Sequence, residues 1–288
     1  METSSKSKPS TGRPTALVIS SSVAASRVGA SASAFCLQRL GVEAIVLPTV
    51  LLGRHPGWGA PGGGEVAADT LRSMWDGIKS QNLKIDAVMT GYMASREHVA
   101  LAAQIITDIR RQNPEAIILV DPVMGDNGKL YIAKAIATAI QDKLIPLADI
   151  CTPNFWELGY ISGNSIETLK TALPAARKLP CDVLITSLPF GQYIGAAIVQ
   201  NKPKPAQSYY VAHEKFETVP HGGGDALAGV FLARLLSGTT PQDSLAISVA
   251  SIFKIISIAA ETGASEMPLI QAQDALITAA PLPLKSLS

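Results

Sequence analysis

The sequence predicts an α/β fold in which one mostly parallel sheet carries helices on both faces. Three observations predict it. Short apolar runs without internal alternation recur along the chain, as strands buried on both faces require. Stretches of helical spacing separate these runs, and strands that alternate with helices lie parallel in one sheet. Polar residues follow the apolar runs at Ser20, Ser21 and Ser22, Thr90 to Tyr92, Asp121, Asn154, Thr186 and Ser187, where open α/β sheets bind ligands.

The elements follow in order. Residues 15–20 (TALVIS) form the first expected strand, and helical spacing over 29–40 stops at Gly41. Residues 43–48 form a second strand. The stretch 53–64 holds six Gly and two Pro and is expected as a mobile loop, too long for a simple connection. A helix over 65–80, a strand over 87–90, a helix over 97–112 and a strictly apolar strand over 116–120 come next. A helix is expected over 133–143, strands from Ile150 and over 183–186, and an antiparallel pair over 193–200 and 209–212. The last third is helical, over 224–237, 241–262 and 269–279. No internal repeat and no second domain are visible: residues 1–14, rich in Ser, Lys, Thr and Pro, read as a disordered tail, and 15–288 as a single domain.

Composition narrows the function. Apolar residues make up 47% and charged ones 16%, below the roughly 25% usual for soluble proteins, which suits a large buried sheet. A net charge of +1 without basic clusters points away from nucleic acid. The longest apolar stretch, 246–260, is interrupted by Lys254 and short for a bilayer span. Cys36, Cys151 and Cys181 are far apart in apolar surroundings, without zinc or disulfide spacing, and read as reduced and cytoplasmic. The four His residues have no mutual metal spacing, and His98 and His213 are expected at the surface.

Three segments carry chemistry. His221-Gly222-Gly223-Gly224-Asp225 opens an apolar helix. Glycines let the backbone approach an anion, and the helix start supplies N–H groups and the positive dipole end. Asp225 there can take a proton from a hydroxyl nucleophile; the ordinary alternative is a Gly-rich turn with Asp225 as cap. No Gly-Lys-Ser/Thr follows, so this is not a Walker loop. Asp121-Pro-Val-Met-Gly-Asp126 follows a buried strand; Asp121 can hold Mg²⁺ through water beside phosphates, or belong to a solvent-facing turn. Asn154 and Glu157 are three apart and share a helix face, either ordering a metal's water shell or forming a cap.

Taken in order, these segments resemble the ribokinase superfamily and, within it, the pyridoxal kinases. GYMAS at 91–95, DPVMGDNGKLY at 121–131, TPNFWEL at 152–158, HGGGD at 221–225 and the stretch from Glu266 to Asp274 carry the resemblance, which spans residues 16–279. It implies a ribokinase-like three-layer sandwich and transfer of phosphate from ATP to the 5′-hydroxymethyl group of pyridoxal, pyridoxine or pyridoxamine. It implies Asp225 as base, Gly222, Gly223 and Gly224 as anion hole, and Asp121, Asn154 and Glu157 around Mg²⁺ and phosphate. Thr186 and Ser187 would lie near the ATP phosphates, and Ser21, Thr49, His55 and Tyr92 would line the vitamin pocket under the 53–64 flap. A homodimer, and K⁺ beside Mg²⁺, are implied too.

The sequence departs from the family pattern at Gly223, where Thr is usual, over 25–30, where an aromatic and an Asn are missing, at Pro48 in place of Asn, and at Trp58 in place of Tyr. These departures are expected near the substrate end or a subunit contact, away from the phosphates. The alternatives are a hydroxymethylpyrimidine kinase of the same superfamily, or a homologue that binds B6 without turnover.

Overall fold

A computed structural model describes residues 12–201 and 207–287 of the chain, so most of the expected tail, residues 1–11, lies outside the described residues. In chain order the elements are β1 (Thr15–Val23), α1 (Ala30–Arg39), β2 (Glu43–Leu52), β3 (Gly63–Glu65), α2 (Ala68–Lys79), β4 (Ala87–Thr90), α3 (Arg96–Gln112), β5 (Ile117–Val120), β6 (Gly125–Asp126), β7 (Lys129–Leu130), α4 (Lys134–Lys143) and β8 (Ile150–Cys151). The second half adds α5 (Phe155–Ser162), α6 (Leu169–Ala176), β9 (Asp182–Phe190), β10 (Tyr193–Gln200), β11 (Gln207–Glu214), α7 (Gly223–Leu236), α8 (Pro241–Thr262), α9 (Ala275–Thr278) and β12 (Lys285–Leu287).

One ten-stranded sheet runs β12-β11-β10-β9-β8-β5-β4-β1-β2-β3. The strands from β2 to β9 pair parallel, with antiparallel strands on both flanks. Alternation along β1 explains the two layers. Leu17 and Ile19 face α2 to α6, packed with Trp75, Ile106, Ile140 and Leu158, whereas Ala16 and Val18 face α1, α7, α8 and α9, packed with Leu37, Phe231 and Leu276. Each face removes its own apolar set from water, so both layers are needed to hold the sheet. Among the described residues, α8 is the one helix long and apolar enough to cross a membrane. Its Leu245, Val249, Ile252 and Ile255 are buried in the second layer, which makes it a core helix.

Several expectations need correction. The 53–64 loop carries a 3₁₀ turn at Pro56–Trp58 and the start of β3, and Glu65 ends that strand rather than opening a helix. Backbone bonds from Gly53 and Arg54 to the Pro61 carbonyl close the loop on itself. The helix expected over 269–279 reduces to α9, because the segment before it closes through four-residue turns such as Ala275 N–H to Ala272 O. His98 is buried, its Nε2 2.7 Å from the Val66 carbonyl, since the first turn of α3 tucks under the strand that leads to α2. The three cysteines are buried thiols with no disulfide between them.

Candidate active site

After β1 the chain adds β2 on one side, then returns to lay β4 on the other. Such a reversal opens a crevice at the carboxyl ends of the strands. Here the crevice is lined through hydrogen bonds between distant segments. The Tyr92 N–H donates to Ser20 Oγ at 3.2 Å, and the buried Thr49 hydroxyl donates to the Tyr92 carbonyl at 2.7 Å. Thr49 therefore reaches the crevice through Tyr92, its own hydroxyl being occupied. Burial, and then the Glu65 charge, push the Tyr92 phenol up, so it stays protonated.

Asp225 lies in the first turn of α7. The turn before it is built on Gly222, at φ 94°, where a Cβ would overlap the Arg27 carbonyl. The first helical bond is Ala226 N–H to Gly222 O at 3.0 Å, so the N–H groups of Gly223 and Gly224 have no partner within the helix. Around Gly223 and Gly224 the space where side chains would stand is open, which is the shape an anion cradle needs. Burial raises Asp225 to about 6, against the pull of the Gly29 N–H and its own N–H.

Gly29 is the residue that local reading missed. It sits in the departing segment at φ 57°, pressed on Ser21, and its N–H bonds to Asp225. With Arg27 against Gly222, this places the segment 25–30 beside the anion loop. The departing segment thus lies against the start of α7. The only sequence signal was Gly29 itself, a glycine kept in an otherwise altered stretch.

The other carboxylates gather under α5. Asn154 caps this helix: its side chain accepts the Glu157 N–H at 2.8 Å, while Glu157 Oε2 accepts the Asn154 N–H at 2.9 Å. Glu157 Oε1 also accepts the Met124 N–H at 2.7 Å, and Asn154 Nδ2 donates to the Gly125 carbonyl at 2.9 Å. The capping alternative is thus realised, and it ties α5 to the turn after Asp121. Burial pushes Glu157 up to about 7 despite these bonds. Asp121 is buried rather than solvent-facing. Burial, then Glu157 and Asp225, hold it well above the usual carboxylate range, against the Thr152 side chain and the Val123 N–H. Val123 adopts φ 35°, a strained backbone for a β-branched residue.

Thr186 and Ser187 do not end their strand. β9 continues to Phe190, and the two residues together oppose Ala196, a bulge in which Ser187 takes φ 57°. Thr186 pairs with Asn154, and its N–H donates to the Pro153 carbonyl at 3.0 Å. On the opposite side, His55 stacks on His221 with ring centroids 4.4 Å apart, and Trp58 lies 5.8 Å from His55. A cleft of about 540 Å³, bordered by Arg27, Trp58 and Glu266, opens beside this pair. Among the described residues, no three His, Cys, Asp or Glu stand together as a direct metal site.

Asp121, Asn154, Glu157, Asp225 and Thr186 thus gather in one region, and Ser21, Thr49 and Tyr92 in another, with Gly29 between them. A sequence model of the phosphomethylpyrimidine kinase family matches residues 36–269. The chain is 32% identical to pyridoxal kinase PdxY of Leifsonia xyli over 90% of its length and 94% of that protein's. It is 33% identical to human pyridoxal kinase over 75% of this chain and 76% of the other. The fold is similar to pyridoxal kinase from Entamoeba histolytica, with a TM-score of 0.89, 23% identity, and coverage of 96% of this chain and 100% of that one. Pyridoxal kinase from Leishmania donovani in complex with ADP and pyridoxamine gives 0.89 at 24% identity, covering 95% and 99%.

Proposed function

The chain belongs to the pyridoxal kinase family of the ribokinase superfamily, and on that premise we propose that it transfers the γ-phosphoryl group of ATP to the 5′-hydroxymethyl group of pyridoxal, with pyridoxine and pyridoxamine as further acceptors. The observation that carries the reading is a carboxylate with affinity for a proton near neutrality, Asp225, in the same turn as the open N-terminus of α7.

In this reading Asp225 takes the proton from the acceptor hydroxyl as the oxygen attacks phosphorus. A pKa of about 6 leaves it ionised at neutral pH yet basic enough to help. The Gly222–Gly224 turn holds the charge of the transferring phosphoryl with fixed N–H dipoles, the largest single contribution in such reactions. Asn154 and Glu157 hold the turn that presents Asp121, while Thr186 and Ser187 approach the ATP phosphates across the bulge. Ser21, His55 and Tyr92, the last braced by Thr49, border the acceptor.

The residues fit Mg²⁺ held through water: Asp121, crowded by Glu157 and Asp225, is a carboxylate that a nearby cation would return to the ionised form. When bound, Mg²⁺ would supply neutralisation of the phosphate charge. K⁺, a homodimer and a cytoplasmic location rest on the family resemblance.

The rival acceptor is hydroxymethylpyrimidine, and the name of the matching family, phosphomethylpyrimidine kinase, points to a related pyrimidine. ATP consumption with pyridoxal and with hydroxymethylpyrimidine, side by side and with Asp225→Asn as control, tests the assignment. Turnover of pyridoxal alone is expected. Turnover of the pyrimidine alone would move the chain to the rival substrate. Binding of pyridoxal with turnover of neither acceptor would make it a B6-binding homologue.

A further inference from the structure

We propose that His221 is a positioning residue for the phosphoacceptor: its imidazole, stacked on His55, seats the 53–64 loop against the start of α7. The proposal rests on the kinase reading above and deepens it.

The geometry is specific on both sides. His55 is fixed within its loop, because its Nδ1 accepts the Gly57 N–H at 3.1 Å. The neutral ring therefore carries its proton on Nε2. The two rings are 20° from parallel with centroids 4.4 Å apart, at the close end of the range for stacked pairs. Gly57 leaves the stack its room: a Cβ there would stand 2.9 Å from His55 Nδ1 and 3.8 Å from His221 Nε2. His221 is anchored in turn by a parallel bridge to Glu266, whose buried Oε1 has no hydrogen-bond partner.

His221 directly precedes Gly222, which caps α7. The stack thus joins the loop at one end of the crevice to the turn that carries the cradle and Asp225. A loop held there excludes water and confines the acceptor next to the base. His221 itself touches neither reacting group; it acts through His55.

The test compares wild type, His221→Ala and His221→Phe. The Phe variant keeps an aromatic face and removes the ring nitrogens. Four quantities are read: KM for pyridoxal, KM for ATP, ATP hydrolysis without acceptor, and the rate of trypsin cleavage after the exposed Arg54 in the loop. His221→Ala should raise KM for pyridoxal about tenfold, the size of one lost aromatic contact, with KM for ATP unchanged. It should also raise acceptor-free hydrolysis and speed cleavage at Arg54, and His221→Phe should restore all three. Wild-type KM and cleavage in His221→Ala would overturn the proposal, as would a Phe variant no better than Ala. If wild type does not phosphorylate pyridoxal, the pyridoxal assignment fails; the three cleavage rates then decide the stack alone, faster cleavage confined to Ala upholding it and equal rates removing it.

Discussion

Asp225 meets two opposed demands. Burial at the start of α7 raises its proton affinity to about 6, which suits a base but makes the ionised form present at neutral pH costly to bury. Asp225→Asn should lower turnover roughly 10²- to 10⁴-fold with ATP binding kept, as isothermal titration would read. The wild-type kcat/KM should fall as pH drops through about 6. Stability should move the other way. The folded-state value lies above the ordinary 3.8, so the native protein holds this proton more tightly than the unfolded chain does. The contribution is therefore fully present below about pH 4 and lost as pH rises through 6. At pH 7 the Asn variant should be the more stable, by about 3 kcal/mol, and the gain should vanish near pH 4; calorimetry at both values checks it. Asp225 and its glycines were legible because their pattern is contiguous. The Gly29 and Thr49 contacts were not, because each joins segments far apart in sequence, and His98 was misplaced for the same reason.

The turn after β5 is held in a strained form by a helix cap. Glu157 accepts N–H bonds from Asn154, Met124 and Gly125, and Val123 keeps φ 35° within the clamped segment. A glutamine at 157 would place an amide NH₂ where one of these donors needs an acceptor. Glu157→Gln should therefore cost about 1–3 kcal/mol, seen as a lower urea midpoint with an unchanged slope. Turnover should fall as well, since Asp121 sits on the released turn; a variant that loses stability but keeps full turnover would detach this clamp from the chemistry. Elements differed in how readable they were. The β6–β7 hairpin turns on Asn127-Gly128, both at positive φ, a signal present in the sequence but too short to stand out beside the motif containing it. α6 holds Pro174 internally, which argues locally against a helix that its buried alanines stabilise. The β9 bulge depends on pairing with β10 and leaves no local trace.

Over the whole molecule, the parallel arrangement followed from alternating runs and the antiparallel β10–β11 pair was legible as two neighbouring runs, whereas the edge strands β3 and β12 and the strand reversal depend on which distant strands meet. That reversal sets Ser20 and Tyr92 on one side of the crevice, and α1 against α7 closes the cradle on the other. The cradle can therefore be separated from the scaffold by two glycine substitutions. At Gly222 any Cβ meets φ 94° and the Arg27 carbonyl, so Gly222→Ala should lower the melting temperature without ligand, through strain on the order of 1–3 kcal/mol. At Gly224 the space is open; Gly224→Val brings no helix-propensity cost relative to glycine and should keep a melting temperature close to wild type. On the proposed reading its side chain would instead fill the place of the phosphate. Ligand at a hundredfold its Kd stabilises a native protein by about 2.7 kcal/mol, so Mg-ATP should raise the wild-type melting temperature by several degrees. Gly224→Val should lose that rise while remaining folded. Asp225→Asn, which removes the base and leaves the glycines, should keep it. A full Mg-ATP shift in Gly224→Val would place the phosphates elsewhere than the start of α7, and loss of the shift in Asp225→Asn would make that carboxylate part of nucleotide binding rather than of proton transfer alone.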